Sequence, residues 1–145
     1  MKCLKIIRVK LDPGAKEPVR AHDADAGLDI FMPENTESRA VFPKGSITIN
    51  TGVHVEIPEG YVGLLMSKSG LNVKNNLTGE GVIDAGYTGS IVVKLYNHGR
   101  ERHTFCAGDK IIQLLIIKCE TPDVEIVNAI GGMDRGDNGF GSTGR

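Results

Sequence analysis

The apolar residues of this 145-residue chain fall into short Val- and Ile-rich runs, punctuated closely by Gly, Pro and Asn. That pattern leaves little but β-structure open. Runs of four to eight β-branched residues between turn formers read as strands, whereas a helix needs a longer stretch of 3.6-residue period. Strands are expected at Leu4–Lys10, Leu28–Met32 (ended by Pro33), Ala40–Phe42, Ser46–Asn50, Val53–Ile57 and Tyr61–Met66. Further ones follow at Gly81–Ile83, Ser90–Tyr96, Thr104–Cys106, Lys110–Lys118 and Asp123–Asn128. One helix of one or two turns fits around Leu71–Leu77, poor in helix formers as it is. The chain is therefore expected to be all-β, a sandwich or barrel with one short helix. Residues 1–130 form the expected domain. Residues 131–145, rich in Gly with one aromatic ring, bury too little to fold alone and form an expected mobile tail.

Other classes are disfavoured. A chain of this length buries about 70% of its unfolded surface without disulfides or metals. Net charge is −1 with acids and bases interspersed, so no basic stripe invites nucleic acid. Aromatic content of 5% with no Trp gives no stacking platform for single strands. No apolar run approaches the ~20 residues of a membrane span, and the first residues lack the apolar core of a secretion signal. A cytoplasmic location is expected. Cys3, Cys106 and Cys119 show no metal-ligand spacing and are expected to be reduced, half-buried thiols. His22, His54, His98 and His103 are scattered without a nucleophile beside them, so no His-based triad is suggested.

Five segments break the strand pattern with glycine and polar residues. In Asp25-Ala26-Gly27-Leu28-Asp29, an Asp in an apolar strand needs a partner, unless the segment is only an Asx-type turn. In Ser67-Lys68-Ser69-Gly70-Leu71, Ser67 or Ser69 can cap the short helix, and with Lys68 the segment has the composition of a phosphate cradle. Gly79 to Gly89 reads as a hairpin turning at Ala85-Gly86, with Asp84 and Tyr87 near its tip. A carboxylate there can take a proton from water, and a phenol can lie flat against a sugar. Its four glycines suggest that backbone lines a pocket. Gln113, polar within Ile111–Lys118, needs either a ligand or water as partner, or an edge position facing solvent. In the tail, Phe140 offers a face for a base and Arg135 a fork for phosphate oxygens. Ser142, Thr143 and the glycine backbone add donors.

In this order and spacing the segments resemble the five motifs of the trimeric dUTPases, the deoxyuridine triphosphate nucleotidohydrolases. The matching residues are Ala26–Asp29, Ser67–Leu71, Gly81–Gly89, Gly108–Leu114, and Arg135-Gly136 followed by Gly139–Gly144. The resemblance runs from about Leu4 to the end. It implies a jelly-roll-like β fold, a homotrimer with active sites shared between subunits, and cleavage of dUTP to dUMP and pyrophosphate with Mg²⁺ on the triphosphate. Such an activity limits uracil in DNA and supplies dUMP for thymidylate synthesis. It further implies that Asp84 is the general base that orients water for attack on the α-phosphorus. Tyr87 would pack under the deoxyribose and exclude a 2′-hydroxyl. The backbone of Gly81, Val82 and Ile83 would pair with uracil and leave no room for a thymine methyl. Lys68, Ser69 and Gly70 would hold phosphate oxygens, with Gln113 near the α-phosphate. Asp29 would support the metal through water, or the framework of the site. Phe140 and Gly141 would cover the uracil, while Arg135, Ser142 and Thr143 close on the β- and γ-phosphates.

The chain departs from that family in two places. Lys68 stands where the second motif usually has Arg, a point charge without a bidentate fork. Gly86 stands where the third motif often has a second Asp. Two other readings compete. A dCTP deaminase-like enzyme shares the fold, but its Glu on the strand after the third motif is matched here by Lys94. A non-catalytic, nucleotide-gated regulatory protein is opposed by the intact Asp84, Tyr87 and tail set.

Overall fold

Eleven strands and one short helix form in the computed structural model, which describes residues 6–141 and 143–144. Strand alternation builds two main sheets. β4 (Ser46–Asn50) pairs antiparallel with β9 (Val92–Asn97), whose other edge carries β7 (Leu77–Thr78). Along both long strands the period-2 pattern sends Ile47, Ile49, Val93 and Leu95 inward and Thr48 and Lys94 outward. The other sheet has the order β2 (Leu28–Phe31), β11 (Lys110–Lys118), β6 (Tyr61–Met66), β8 (Glu80–Ile83), antiparallel throughout. Two ribbons complete the domain: β1 (Arg8–Leu11) with β5 (Val53–Glu56), and β3 (Arg39–Val41) with β10 (His103–Phe105). Ile30, Leu65, Ile83, Ile112 and Leu114 from one sheet meet Ile47, Ile49, Leu77, Val93 and Leu95 from the other in one core. The sheets face each other as an open sandwich and do not close into a barrel.

β11 holds the sandwich together and departs from simple alternation. Its register against β2 shifts between Lys110 and Ile112, a bulge that lets Ile111 and Ile112 both face the core. Two buried polar side chains are fully satisfied within the fold. Asn97 donates to the carbonyls of Val41 and Glu101 and accepts from Gly99 N–H, and Thr51 donates to the Ile91 carbonyl and accepts from Val53 N–H. The third buried polar group is Asp29.

Several expectations need correction. No strand forms over 123–128: Val124 and Ile126 are exposed, and no other described segment pairs with them. The helix α1 spans Ser69–Asn75, earlier than expected, because Leu77 and Thr78 are drawn into β7 beside β9. Neither serine caps it. Lys68 is the N-cap residue without a side-chain cap bond, while Ser67 Oγ exchanges hydrogen bonds with the backbone of Gly79. The expected hairpin after Gly81 is a turn without a returning ladder. β8 pairs with β6, and the outgoing limb crosses away: Ile91 N–H bonds the Val53 carbonyl of β5, and Val93 and Leu95 are buried in β9 of the other sheet. Cys106 and Cys119 are exposed rather than half-buried. Cys3, and Leu4 and Lys5 of the first expected strand, lie outside the described residues.

Candidate functional site

Antiparallel pairing around β11 brings three distant segments to one place. Gln113 is directly opposite Asp29 on β2 and Met66 on β6, so its strand is central and the edge reading of Gln113 does not hold. Gln113 Nε2 donates to the Ser67 carbonyl at 3.0 Å. Gly27 makes this possible, since a Cβ there would lie 2.3 Å from Gln113 Oε1. Beside it Asp29, 3% exposed, bonds the Lys68 ammonium through Oδ1 and faces the Lys110 ammonium at 3.1 Å through Oδ2. Burial alone would push this carboxyl up; the hydrogen bonds and charges of the two lysines outweigh it and hold the group below its ordinary value.

This ion cluster has a measurable consequence. Asp29→Asn leaves two ammonium groups without their carboxylate, but the Lys68 and Lys110 side chains are 26% and 51% exposed and can turn to water. A loss of about 1–3 kcal/mol is expected. Because the folded carboxyl is held low, its stabilisation is complete above about pH 4 and is lost as pH falls through the lowered folded value. In urea unfolding followed from about pH 7 to about pH 3, the gap between wild type and Asp29→Asn should therefore narrow toward the acid end. Parallel curves would refute the assignment.

A second group lies at the other end of β6 and β8. Gly81 sits against Leu65 and Ile83 against Gly63, and the chain then turns over Asp84–Tyr87, closed by Tyr87 N–H on the Asp84 carbonyl at 3.2 Å. Gly86 holds this turn at φ +84°, a conformation that L side chains rarely adopt. Val82 and Asp84 are exposed, and Tyr87 is half-exposed. The Tyr87 hydroxyl donates to the Ser90 carbonyl at 2.9 Å, and its ring lies across Gly89, where a Cβ would fall 2.3 Å from the phenol oxygen. A cleft of about 430 Å³ opens beside Gly86, Tyr87 and Thr88, with Ile6, Arg8 and Glu56 on its other wall.

One chain thus assembles its expected site residues in separate groups. Ser67 follows Met66, which faces Glu80, whereas Asp84 follows Ile83, which faces Gly63. Along the strands Ser67, which leads into Lys68, and Asp84 are therefore about 16 Å apart. The tail joins neither group. Arg135 bonds the Asn138 carbonyl within its own turn, Phe140 is fully exposed, and among the described residues no hydrogen bond links 121–144 to the sandwich. Gly141 and Thr143 are exposed; Ser142 lies outside the described residues.

The structure adds residues that the motif reading did not single out. Lys110 became visible only through the β2–β11 register, although it follows Gly108-Asp109, which the fold uses as a turn: Met32 N–H bonds the Asp109 carbonyl, and Gly108 has φ +79°. His54, assigned no role from sequence, bonds the Thr88 carbonyl directly after Tyr87. Gly79 and Gly81 are explained by packing, since a Cβ on Gly79 would press to 2.8 Å on the Lys94 carbonyl and one on Gly81 to 3.1 Å on Leu65. Gly70 has neither positive φ nor any atom within 4 Å of a Cβ, so nothing in the fold of this chain requires glycine there. Lys94 lies on the outward face of β9, its ammonium 5.3 Å from the Tyr96 ring.

Comparison with known proteins gives a consistent set of likenesses. A sequence model of the family described as dUTPase matches residues 14–144. The deoxyuridine 5′-triphosphate nucleotidohydrolase of Clostridium tetani is 40% identical over 145 residues, covering 98% of this chain and 97% of that protein. The protein of the same name from Mus musculus is 35% identical, covering 94% and 83%. Among solved structures, a variant dUTPase of Staphylococcus bacteriophage 80alpha with dUpNHpp shares 34% identity at a TM-score of 0.84, over 97% of this chain and 99% of that one. A variant dUTPase from phage phi11 of S. aureus, described with a coordinated structural Mg(II) ion, shares 31% identity at a TM-score of 0.79, over 88% and 100%. The open antiparallel sandwich accordingly has the jelly-roll-like dUTPase fold.

Proposed function

The chain belongs to the dUTPase family, the deoxyuridine 5′-triphosphate nucleotidohydrolases, and we propose that it cleaves dUTP to dUMP and pyrophosphate at sites shared between the subunits of a homotrimer. The observation that carries this reading is the separation of the motif residues. The lysine cluster and the Asp84–Tyr87 turn occupy opposite ends of one strand pair, and among the described residues no hydrogen bond ties the tail to either. Each copy offers parts that another copy can complete. The exposed Val124, Ile126, Ile130 and Met133 favour the same view, because apolar side chains so fully exposed gain by covering a neighbour.

In this mechanism Asp84 accepts a proton as the water oxygen bonds the α-phosphorus, the bond from that phosphorus to the bridging oxygen breaks, and pyrophosphate leaves. Exposure of Asp84 in a turn gives it access to water. Tyr87 lies under the deoxyribose, its ring fixed by the Ser90 carbonyl and the bare Gly89. The backbone of Gly81, Val82 and Ile83 pairs with uracil. Lys68, Ser69 and Gly70 hold phosphate oxygens; the glycine that the fold does not require suits a closely approaching phosphate. Gln113 stands near the α-phosphate, steadied by the Ser67 carbonyl. Phe140 and Gly141 cover the base, and Arg135, Ser142 and Thr143 close on the outer phosphates.

Mg²⁺ fits as the companion of the triphosphate. Among the described residues no three His, Cys, Asp or Glu gather as a metal cage, and both Asp29 oxygens face ammonium groups. Asp29 therefore anchors Lys68 and Lys110 and reaches a metal only through water. Bound with the substrate, the ion neutralises phosphate charge. Among the described residues no helix is long and apolar enough to cross a membrane. A cytoplasmic enzyme that limits uracil in DNA and supplies dUMP for thymidylate synthesis accords with the rest of this reading.

The test is Mg²⁺-dependent pyrophosphate release from dUTP, with dTTP, UTP and dCTP as competitors. Turnover of dUTP far above the others is expected. Equal turnover of dTTP would refute the uracil pocket, and ammonia released from dCTP would restore the deaminase. Gly89→Ala sharpens the test, since its Cβ displaces the Tyr87 ring. Discrimination against UTP should fall by roughly tenfold or more, and an unchanged ratio would detach Tyr87 from sugar selection.

A further inference from the structure

His54 is clamped between two groups that can only accept hydrogen bonds. Its Nδ1 lies 2.7 Å from the Thr88 carbonyl oxygen and its Nε2 3.0 Å from Asp12 Oδ2, in a side chain 19% exposed. A backbone carbonyl and an ionised carboxylate bring no proton. A neutral imidazole has one N–H and would turn a lone pair on the other acceptor. Imidazolium donates to both. The anchor end is firm: Asp12 N–H bonds the Gly52 carbonyl, tying the carboxylate to the turn between β4 and β5. The other end is Thr88, which leaves the turn carrying Asp84 and Tyr87.

We propose that His54, as an imidazolium, is a positioning residue for the Asp84–Tyr87 turn, tying Thr88 to Asp12 so that base and sugar platform keep their places. The proposal rests on the roles given above to Asp84 and Tyr87. The Thr88 carbonyl and then Asp12 hold His54 above its ordinary value, against burial and Lys10. Asp12 is held below its own, chiefly by the hydrogen bond from His54. The surrounding charges are accounted for. Lys10 is directly opposite His54 with Nζ 3.9 Å from Asp12 Oδ1, and Arg8 and Glu56 pair with each other across the same two strands, while Tyr87 faces the shared cleft. A His held high keeps its link complete below about pH 6.5 and loses it as pH rises through the raised value.

Nitrogen-15 NMR of the imidazole in the full-length wild-type protein should give His54 a titration midpoint above the ordinary imidazole value of about 6.5, with both nitrogens protonated below it. Asp12→Asn should lower the titration midpoint. In steady-state kinetics on dUTP, His54→Gln, which donates from one nitrogen only and does not titrate, should lower kcat/KM about tenfold. It should also lack the alkaline decline of the wild-type profile, which Asp12→Asn should move to lower pH. A merely structural role would change thermal stability without moving that limb. A His54 midpoint at or below about 6.5 overturns the proposal, as does a His54→Gln enzyme with wild-type kinetics and pH profile. If His54→Gln does not fold, the wild-type spectrum and the Asp12→Asn limb decide. Wild-type protein inactive on dUTP would sink the functional reading while leaving the His54 charge state measurable; active protein indifferent to His54→Gln sinks this proposal alone.

Discussion

Asp84→Asn should lower kcat on dUTP by roughly 10²–10⁴ while leaving KM and stability nearly unchanged. The substitution keeps the shape of the side chain and removes its capacity to take a proton. It also keeps the backbone contact that the fold uses, the Asp84 carbonyl accepting from Tyr87 N–H. The carboxylate itself is exposed and makes no hydrogen bond to the described residues, so unfolding free energy should shift by no more than about 0.5 kcal/mol. A folded protein that binds substrate and barely turns it over is the expected combination. Full activity would remove Asp84 from the role of base. A parallel loss of stability and activity would make the turn a structural element instead.

Removal of everything after Ile130 should leave a folded trimer whose kcat/KM on dUTP is lower by about 10²-fold. The described part of that segment makes no hydrogen bond to the sandwich and supplies no buried side chain, so its loss exposes no core. Its contribution is expected only with nucleotide bound, when Phe140 covers the base and Arg135 reaches phosphate, excluding water around the reacting centre. Sedimentation should give three times the 15.6 kDa mass of the full-length chain, and nearly three times the slightly smaller mass for the truncated one. Equal activity of the two would make the tail an unused terminus. A monomer in both would remove the shared site.

Most of the strand pattern was legible in one dimension, because it depends on local chemistry. β4, β6 and β11 occupy the ranges expected from alternation and turn residues. The misses have a common cause, a decision made by a distant partner. Asp123–Asn128 has strand composition but pairs with no described strand of its own chain. The limb after Gly86 has hairpin composition, yet β5 and β4 capture it before it can return to β8. Leu77 looked helical and was taken by β9. Residue types in order were enough to single out Asp29, Lys68, Gln113, Asp84 and Tyr87 as candidate site residues. They did not show that Lys68 and Asp29 bind each other, that Lys110 joins them, or that Gly27 is bare to admit Gln113.

Period-two alternation and the glycine turns act between near neighbours, so the all-β class and the five candidate motif segments can be read from residue order alone. Contacts across 39 residues, as between Asp29 and Lys68, or across 34, as between His54 and Thr88, depend on which strands pair and in which register. A one-residue slip would turn every side chain on a strand to the opposite face. Only the folded sheets decide that the lysine cluster and the Asp84 turn stand at opposite ends of β6 and β8, and with it the proposed need for a second copy to bring them together.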